Sequence, residues 1–423
     1  MTVSKKAENV RDVIRYLQKF KNALVVIYLD DKAIGSPLFS SHIRDIAMLH
    51  QAGLKVVIIP GARTRIDQVL DGAKIEWSYK ENIRITNDEA MPLVKMAAFD
   101  VTNTVMTSLA ANGITAVIGN WVRARAKGVL DGLDFGTAGE IDRLDTDSLR
   151  TVLGDGFIPI FPCIGWSSTG RPYNISSAVL AQQVAIELKA DKLFFVIGQD
   201  GAVLKDGQII PAMNIEEVDE FMSQNKTAQI NNILTLAKGA CCNGVNRAHV
   251  LDGNLDGVLL TEIFSDLGSG TMIYTSNYGK IRSIEQKDIP SVLSLMQPFI
   301  ASGKLLPRTE NDISSSMSDF VVYEFDGGVR ACAALHKYND GQFEIAAVAV
   351  DDAFSHMGIG PALVESLIKN AKEQKATSVF IMTTQAADWF EKLGFKEDKI
   401  ESLPESRRAK WNPERNSKVY RLS

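Results

Sequence analysis

The stretch EIAAVAVDDAFSHMGIGPALVESLIKNAKEQ, residues 344–374, decides the fold of the last third of the chain. Its opening run of apolar and small residues predicts a buried strand that ends at Val350. After a turn, Gly358-Ile359-Gly360 precedes apolar residues at helical spacing, which predicts an amphipathic helix that reaches Lys372. Glycines at a helix start let backbone N–H groups approach a phosphate, and the helix dipole adds to the attraction. The pattern indicates either a phosphate-binding loop or an ordinary tight turn.

Strand and helix signals around this stretch outline a small α+β domain over residues 281–423. Two turn sequences, Asp326-Gly327-Gly328 and Asn339-Asp340-Gly341, separate three apolar segments and have the chemistry of β-hairpins. The predicted strands are Ile281–Ile284, Phe320–Phe325, Val329–Lys337, Phe343–Val350, Ser378–Thr383 and Lys418–Arg421. The predicted helices are Lys287–Ala301, Gly358–Lys372 and Ala386–Leu393.

Residues 1–275 alternate short apolar runs with helical segments, a pattern typical of a mostly parallel sheet with helices on both faces. We therefore predict a larger, three-layer αβα domain before the α+β domain. The strand candidates are Ala23–Leu29, Lys55–Ile59, Ile158–Phe161 and Leu193–Ile197. The helix candidates are Ser40–Gln51, a helix capped by Asn87 or Asp88 that runs to about Asn112, and Ser176–Leu188 capped by Asn174. Residues rich in Gly, Ser and Thr place the linker at about 272–280.

The composition is that of an ordinary globular protein. The 423 residues include 46 basic and 51 acidic side chains, a net charge of −5, which argues against a nucleic-acid partner. The four cysteines form no Cys-x-x-Cys pair and the five histidines show no metal-ligand spacing, so we predict reduced thiols and no metal. The first twenty residues carry charges throughout and lack the apolar core of a signal peptide. We therefore expect a cytoplasmic protein that binds no membrane.

The glycine-opened helix is followed by a strand and by ADWFEKLGF at residues 387–395, and together these features resemble the GNAT acetyltransferase family. The resemblance covers residues 281–423 and implies acetyl-CoA as co-substrate. It implies that a strand backbone pairs with the pantetheine arm and that the loop before the helix holds the pyrophosphate. The residues that it assigns to the coenzyme are Val348, Val350, Met357, Gly358, Ile359 and Gly360. The family has Arg or Gln where this chain has Ser355, so we expect weaker pyrophosphate contacts.

The same resemblance favours Glu344 as the catalytic base, directly or through a water molecule. The α-ammonium group of a peptide has a pKa of about 7.7–8.0, so an amine must lose a proton before it attacks an acetyl group. A positioned base contributes about 10²–10⁴ in rate. The alternative interpretation makes Glu344 an exposed strand residue paired with a Lys or Arg across the sheet. Where the family commonly has a Tyr near the leaving thiolate, this chain has Phe390, so we expect solvent or another donor there.

Five segments of the first domain together resemble the amino-acid kinase family. They are GARTRID (61–67), GNWVRAR (119–125), GEIDRLD (139–145), YNISSAVLAQQVAIELKADKL (173–193) and EIFSDLGSGTMI (262–273). Kinases of the family carry Lys-x-Gly-Gly after the first strand, where this chain has Tyr28-Leu29-Asp30-Asp31, and three glycines where it has Gly61-Ala62-Arg63. Phosphoryl transfer needs positive charge around the phosphates, and two aspartates repel them. We predict a regulatory and assembly domain without kinase activity; the alternative is that another lysine, such as Lys32, substitutes.

Arginine-sensitive members of the kinase family bind arginine near the C-terminal end of this fold. The matching residues are His249, Glu262 and Gly268, which have the family's spacing. A carboxylate such as Glu262 can pair with a guanidinium through two hydrogen bonds. The resemblance therefore implies L-arginine as an effector, and the alternative for His249 is a core or surface histidine beside a strand.

A kinase-like domain followed by a GNAT domain resembles the family of the bacterial N-acetylglutamate synthases, which catalyse the first step of arginine biosynthesis. Glutamate carries two carboxylates, so its site should offer two cationic anchors. The resemblance assigns Arg308 and Arg415 to this role, Ser417 as a hydroxyl donor and Leu306 as a pocket wall. The alternative for the arginines is a solvated charged surface, since residues 405–418 are rich in charge.

The sequence thus predicts an allosteric amino-acid N-acetyltransferase that moves an acetyl group from acetyl-CoA to the α-amine of L-glutamate. We expect it to assemble as a homo-oligomer. One alternative is a GNAT enzyme that acts on a different amino acid or amine. A second alternative is a non-catalytic regulator that senses arginine or acetyl-CoA.

Overall fold

In a computed structural model of the chain, the residues described are 20–198, 201, 203–205, 207–227, 230–264, 269–275, 279–325 and 328–422. The side chains of Lys205, Ala353, His356 and Met357 lie outside this description. The chain divides into two units after residue 276.

The first unit is built on an eight-stranded sheet. Its strands are β1 Leu24–Leu29, β2 Lys55–Pro60, β3 Ala116–Ile118, β4 Ile158–Ile160, β5 Lys192–Ile197, β6 Ala212–Asn214, β7 Arg247–Asp252 and β8 Thr271–Tyr274. They lie in the order β6-β8-β7-β5-β1-β2-β4-β3, and every pair is parallel except β7–β8. The helices are α1 Asp31–Ile34, α2 Phe39–Gln51, α3 Arg63–Gly72, α4 Met91–Ala111, α5 Thr146–Gly154, α6 Ser177–Leu188, α7 Ile215–Gln224, α8 Asn231–Cys242 and α9 Val258–Phe264.

Both faces of this sheet are covered, which explains why its central strands are continuously apolar. In β1, Val25 and Ile27 face one buried cluster with α2 and α9, whereas Val26 and Tyr28 face another with α6 and α8. Alternate strand residues point to opposite faces, so a strand between two helical layers needs apolar side chains at every position. The prediction of a mostly parallel three-layer αβα fold is confirmed.

A second, four-stranded sheet and three hairpins complete this unit. The sheet orders its strands as Pro172–Asn174, Ile164–Trp166, Val122–Ala126 and Gly139–Leu144. The hairpins pair Ser78–Lys80 with Ile83–Ile85, Val129–Leu130 with Leu133–Asp134, and Leu204–Lys205 with Gln208–Ile209.

Of three local predictions in this unit, one was wrong, one was wrong in part and one was right. Asn174 does not cap α6, because it ends a strand; Ser176 is the cap, and its hydroxyl accepts from the Val179 N–H at 3.5 Å. The linker prediction at 272–280 overlaps β8, whose Thr271–Tyr274 pairs with β7 and buries alternate side chains. Asn87 does cap the turn that leads into α4, since its Oδ1 accepts from the Ala90 N–H at 2.7 Å.

The second unit is a seven-stranded sheet with helices on both faces. Its strands are β9 Lys280–Ser283, β10 Phe320–Phe325, β11 Gly328–Lys337, β12 Gln342–Val350, β13 Ser378–Thr383, β14 Phe395–Asp398 and β15 Lys418–Leu422, in the order β9-β10-β11-β12-β13-β15-β14. Its helices are α10 Ile289–Ala301, α11 Glu310–Ser314, α12 Ile359–Glu373, α13 Ala387–Lys392 and α14 Glu405–Arg408. Only β12 and β13 pair in parallel among these described strands. The predicted α+β domain is confirmed.

Candidate active site

Strands β12 and β13 are neighbours that separate halfway along their length. Their parallel register begins at Gln342–Ser378 and ends at Ile345–Ile381, and within the described residues no pairing between them continues beyond that point. The later part of β12, with Val348 and Val350, still pairs with β11 but leaves its other edge open. An extended ligand arm that carries amide groups can add to such an edge as a strand does.

A bulge in β12 marks the point of separation. Ala347 has a φ of 53°, in the left-handed region, and the β11–β12 register shifts between Cys332 and Ala334. The bulge reverses the faces of the strand: Phe343 and Ile345 pack with the α12 cluster, whereas Ala347 joins the α10 cluster. One extra residue in a strand has this effect, because side chains alternate with a period of two.

The first turn of α12 faces the end of this strand. Gly358, the cap residue, has a φ of 66°, and a Cβ built on Gly360 would lie 3.1 Å from Trp389 and 3.6 Å from Val350. The first two helical residues, Ile359 and Gly360, carry N–H groups that the helix itself does not use, whereas Pro361 has none. A helix start of this kind attracts a phosphate. Met357 ends the 3-10 helix Asp352–Met357 just before it.

Glu344 is buried, with 4% of its surface exposed. Tyr338 Oη donates to Glu344 Oε2 at 2.6 Å. Arg407 donates from Nε to Oε2 at 2.8 Å and from Nη2 to Oε1 at 3.0 Å. The alternative of an exposed strand residue is wrong, because this carboxylate is enclosed and its cationic partner comes from α14. Three hydrogen bonds hold the carboxylate in one orientation beside the bulge.

Three of the residues assigned to the acceptor meet at the loop after α10, which spans residues 302–308. Arg415 Nη2 donates to the carbonyl oxygens of Gly303 at 3.3 Å and Lys304 at 3.0 Å. Arg308 ends this loop, and Leu306 within it is 55% exposed. The fourth residue, Ser417, is buried two residues after Arg415 and precedes β15.

Sequence reasoning missed four polar residues around Glu344. Besides Tyr338 and Arg407, they are His336, which is the cross-strand neighbour of Glu344, and Asp319, whose Oδ2 lies 2.7 Å from His336 Nδ1. The hairpin turn at 339–341 could have revealed His336, because it fixes the β11–β12 register. Nothing in the charged run around Arg407 distinguishes it from Arg408, since its partner is 63 residues away in sequence.

Phe390 is a core residue. It is buried and makes T-shaped ring contacts with Trp389, at a centroid distance of 4.6 Å, and with Phe395, at 5.7 Å. Its ring has no hydrogen-bond donor, so this position offers no proton to a leaving thiolate.

In the first unit, Asp30 and Asp31 follow β1, at the positions where kinases of the family carry glycines. Burial and the neighbouring carboxylate raise the pKa of Asp30 to about 6. Asp31 Oδ2 accepts from the Thr64 N–H at 2.8 Å, and its hydrogen bonds to Asp30 and Thr64 lower its pKa. The segment behind them is tightly packed: a Cβ on Gly198 would lie 2.2 Å from the Ala33 nitrogen. The two carboxyl groups repel a phosphate, and the close packing at Gly198 leaves no space for one.

The candidate effector residues His249 and Glu262 form a buried pair. His249 Nδ1 lies 2.6 Å from Glu262 Oε1, and Oε2 accepts from the N–H groups of Ser269 at 2.7 Å and Gly270 at 3.0 Å. Burial lowers the pKa of His249 to about 4, so the ring is neutral at pH 7 and donates from Nδ1. Its Nε2 is a buried acceptor without a partner among the described residues. The third predicted residue, Gly268, lies outside the described residues.

Metal-binding and membrane-spanning features are both absent from the part of the chain that the structure describes. Among these residues, no cluster of three or more His, Cys, Asp or Glu side chains has the arrangement of a metal site. Of the helices described, none combines the length and apolar content that spanning a bilayer requires.

Both units match known families. The Amino acid kinase family matches residues 24–252, and the Acetyltransferase (GNAT) domain matches residues 316–397. The chain is 33% identical to the amino-acid acetyltransferases of Photobacterium profundum and Escherichia coli, with 96–97% of this chain and 96% of theirs covered. It is similar to the crystal structure of N-acetylglutamate synthase from Neisseria gonorrhoeae complexed with coenzyme A and L-arginine. That similarity has a TM-score of 0.83 and 28% identity, and it covers 98% of both chains.

Fold and site together define an N-acetyltransferase of the GNAT type that follows a unit with the amino-acid kinase fold. The chain belongs to the family of the amino-acid acetyltransferases. The predictions of the fold class, of an acetyl-CoA-dependent N-acetyltransferase and of the resemblance to the N-acetylglutamate synthases are therefore confirmed.

Proposed function

We propose that the protein acetylates the α-amine of L-glutamate with acetyl-CoA, the first step of arginine biosynthesis. The observation that carries this proposal is the position of the two predicted carboxylate anchors. Arg415 is hydrogen-bonded to the loop that ends at Arg308, and Arg308 Nη2 lies 3.4 Å from His336, the cross-strand neighbour of Glu344. Two guanidinium groups that meet at one loop, one of them beside the cross-strand neighbour of a buried carboxylate, fit an acceptor with two carboxylates and one amine. The Neisseria gonorrhoeae enzyme has also been crystallised with coenzyme A and N-acetyl-glutamate.

In this proposal, the open edge of β12 at Val348 and Val350 pairs with the pantetheine arm. The N-terminal amides of α12, at Ile359 and Gly360, bind the pyrophosphate. Glu344 takes a proton from the ammonium group, and the amine attacks the thioester carbonyl. The C–N bond forms in a tetrahedral intermediate, whose nitrogen loses its second proton to solvent. The intermediate collapses as the C–S bond breaks, coenzyme A leaves as a thiolate, and no covalent enzyme intermediate is needed. The thiolate takes its proton from solvent, since Phe390 has none to give.

A thiol-release assay with an acceptor panel tests the substrate. We expect glutamate to be used far better than aspartate, glutamine or putrescine. Glu344→Gln should lower kcat by about 10²–10⁴, since a positioned base has this effect. Glu365→Gln, an exposed glutamate on α12, is the matched control and should leave kcat unchanged. A preference for another acceptor would contradict the proposal that glutamate is the substrate. Full activity of Glu344→Gln would contradict the proposal that Glu344 is the base.

We further propose that the kinase-like unit binds L-arginine as an effector and has no kinase activity. Two observations support arginine: the Neisseria gonorrhoeae enzyme is complexed with it, and His249 Nε2, beside the Glu262 carboxylate, is a buried acceptor without a partner among the described residues. The carboxyl pair Asp30–Asp31 supports the absence of phosphoryl transfer. Incubation with ATP and N-acetylglutamate should give no phosphorylated product, and detectable product would reject this part.

Assembly and location form the last part of the proposal. Helices α2 and α4 pack against each other and expose Met48 and Met96 to 49% and 54%, which supports a homo-oligomer formed by this unit. Light scattering after gel filtration should give a mass above 46.3 kDa, and a Met48→Glu, Met96→Glu double variant should lower it. The cysteines are free thiols, which suits the cytoplasm, and cell fractionation tests that location.

A further inference from the structure

Three side chains form a hydrogen-bonded series beside the predicted base. Asp319 Oδ2 lies 2.7 Å from His336 Nδ1, and Arg308 Nη2 lies 3.4 Å from His336 Nε2. His336 also stands opposite Glu344 in the β11–β12 register. Arg308 and Glu344 have predicted roles, whereas His336 and Asp319 have none so far.

Asp319 and Arg308, which flank His336 in this series, determine which ring nitrogen of the imidazole carries the proton. A guanidinium carries donors only, so Arg308 can bond to His336 only if Nε2 keeps its lone pair. A carboxylate accepts, so the ring proton lies on Nδ1 and is donated to Asp319. Asp319 thereby selects the tautomer in which Nε2 is unprotonated and can accept a hydrogen bond from Arg308.

Arg308 needs such a support because it stands at the end of an exposed loop. Its guanidinium also lies over the face of Phe320, with the guanidinium carbon 5.3 Å from the ring centroid. A free arginine side chain carries about 2 kcal/mol of rotamer entropy, which it loses when it binds a ligand. A contact that restricts the side chain beforehand removes part of that cost. One of its five N–H donors then serves His336, and four remain for a carboxylate.

We propose that His336, held in one tautomer by Asp319, is a positioning residue that fixes Arg308 for the carboxylate of the acceptor. This inference rests on the proposed function, because it assumes that Arg308 binds an acceptor carboxylate. It predicts that the pair governs the KM for glutamate and leaves the KM for acetyl-CoA unchanged. In this role the imidazole acts through Arg308 and not on the reacting amine or the thioester.

Steady-state kinetics of five variants of the full chain, one of them a control, test this role. His336→Leu should raise the KM for glutamate about tenfold or more, the effect of one lost hydrogen bond to a charged group. His336→Gln should recover most of the loss, because its amide oxygen can accept from Arg308. Asp319→Ala should act in the same direction as His336→Leu, and the double variant should be no worse than His336→Leu alone. Lys337→Gln, an exposed neighbour on the same strand, is the control.

The outcomes separate this inference from the proposed function. If the wild type does not acetylate glutamate, both fail together. If the wild type is active and His336→Leu keeps its KM for glutamate, only the inference is overturned. It is also overturned if both KM values rise together, or if His336→Gln is as impaired as His336→Leu. Thermal denaturation of each variant monitors the fold. If His336→Leu has lost its fold, Asp319→Ala takes its place, and an unchanged KM for glutamate in Asp319→Ala then overturns the inference.

Discussion

At the scale of single residues, Arg415 gives the clearest prediction for the acceptor site. Arg415→Ala should raise the KM for glutamate about 30-fold or more, because losing an arginine that pairs with a carboxylate costs about 2–5 kcal/mol. Arg408→Ala is the matched control, since this exposed arginine belongs to the same charged run. It donates to the Glu401 carbonyl and not to the loop at residues 302–308. Equal effects of the two variants would mean that Arg415 is simply part of a charged surface.

Asp30 links the stability of the first unit to pH. Its pKa of about 6 in the folded state exceeds the value of about 3.9 in an unfolded chain. The folded protein therefore holds this proton more tightly than the unfolded chain does. The resulting contribution to the free energy of unfolding is fully present below about pH 4 and is lost as the pH rises through 6. Relative to Asp30→Asn, the wild type should become more stable as the pH falls from 7 to 4, as measured by urea denaturation. The lowered pKa of Asp31 acts in the opposite direction only at lower pH. A difference between the two proteins that does not change with pH would contradict this assignment.

The residue scale also shows what the sequence could not reveal. Glu344 could be found because it is the one charged residue in an apolar strand and matches a family position. Tyr338 and Arg407 could not, because their role depends on a contact between segments far apart in sequence. Polar contacts between distant segments depend on how the chain packs, and local sequence patterns do not predict that packing.

At the scale of the elements, the bulge at Ala347 controls the open edge of β12. A residue other than glycine at positive φ costs about 1–2 kcal/mol, so Ala347→Gly should leave the protein equally or more stable. Ala347→Val should destabilise it and raise the KM for acetyl-CoA, because a β-branched residue resists this conformation and shifts Val348 and Val350. Thermal denaturation and donor kinetics give the two readouts.

Ala349→Gly provides the opposite case on the same strand. Ala349 is buried and has no positive φ, so glycine there should lower the stability by about 0.5–1 kcal/mol. If both glycine variants lose the same stability, the conformation of Ala347 has no special role.

Elements were predicted well where periodicity and turn chemistry agree. The strands β10 to β13 and helix α12 lie within one or two residues of their predicted bounds, because Gly and Asp turns delimit them. The bulge was not predicted, since Ala346-Ala347 carries no signal for a positive φ. The Asn174 cap failed because Pro172–Asn174 forms a strand that the sequence pattern did not predict, and the cap is Ser176.

At the scale of the whole molecule, arginine binding should stabilise the first unit. A ligand at one hundred times its Kd stabilises the state that binds it by about 2.7 kcal/mol, so L-arginine should raise the melting temperature. Glu262→Gln should abolish this shift, because it removes the carboxylate that would pair with the guanidinium. L-citrulline, which lacks the charge, is the ligand control. An equal shift in the wild type and Glu262→Gln would place arginine elsewhere.

The two-part architecture could be predicted because each half carries its own periodicity. Helix-separated apolar runs indicated the αβα unit, and hairpin turns indicated the α+β unit. The place of division was harder to find. Composition alone suggested a linker at 272–280, whereas Thr271–Tyr274 adds a last strand to the first sheet. A segment next to Gly and Ser residues can still contribute a strand when its alternate side chains are buried, and this one lies between β6 and β7.

The tight packing at Gly198 has a consequence for the evolution of this chain. The end of β5 leaves no room for a side chain, because α1 lies directly against it. A lysine at Tyr28 would still face two carboxyl groups, and glycines at Asp30 and Asp31 would remove the bonds to Thr64. No single substitution therefore makes a nucleotide cradle here. A change to phosphate binding at this edge requires several coordinated substitutions in β1, α1 and the segment after β5.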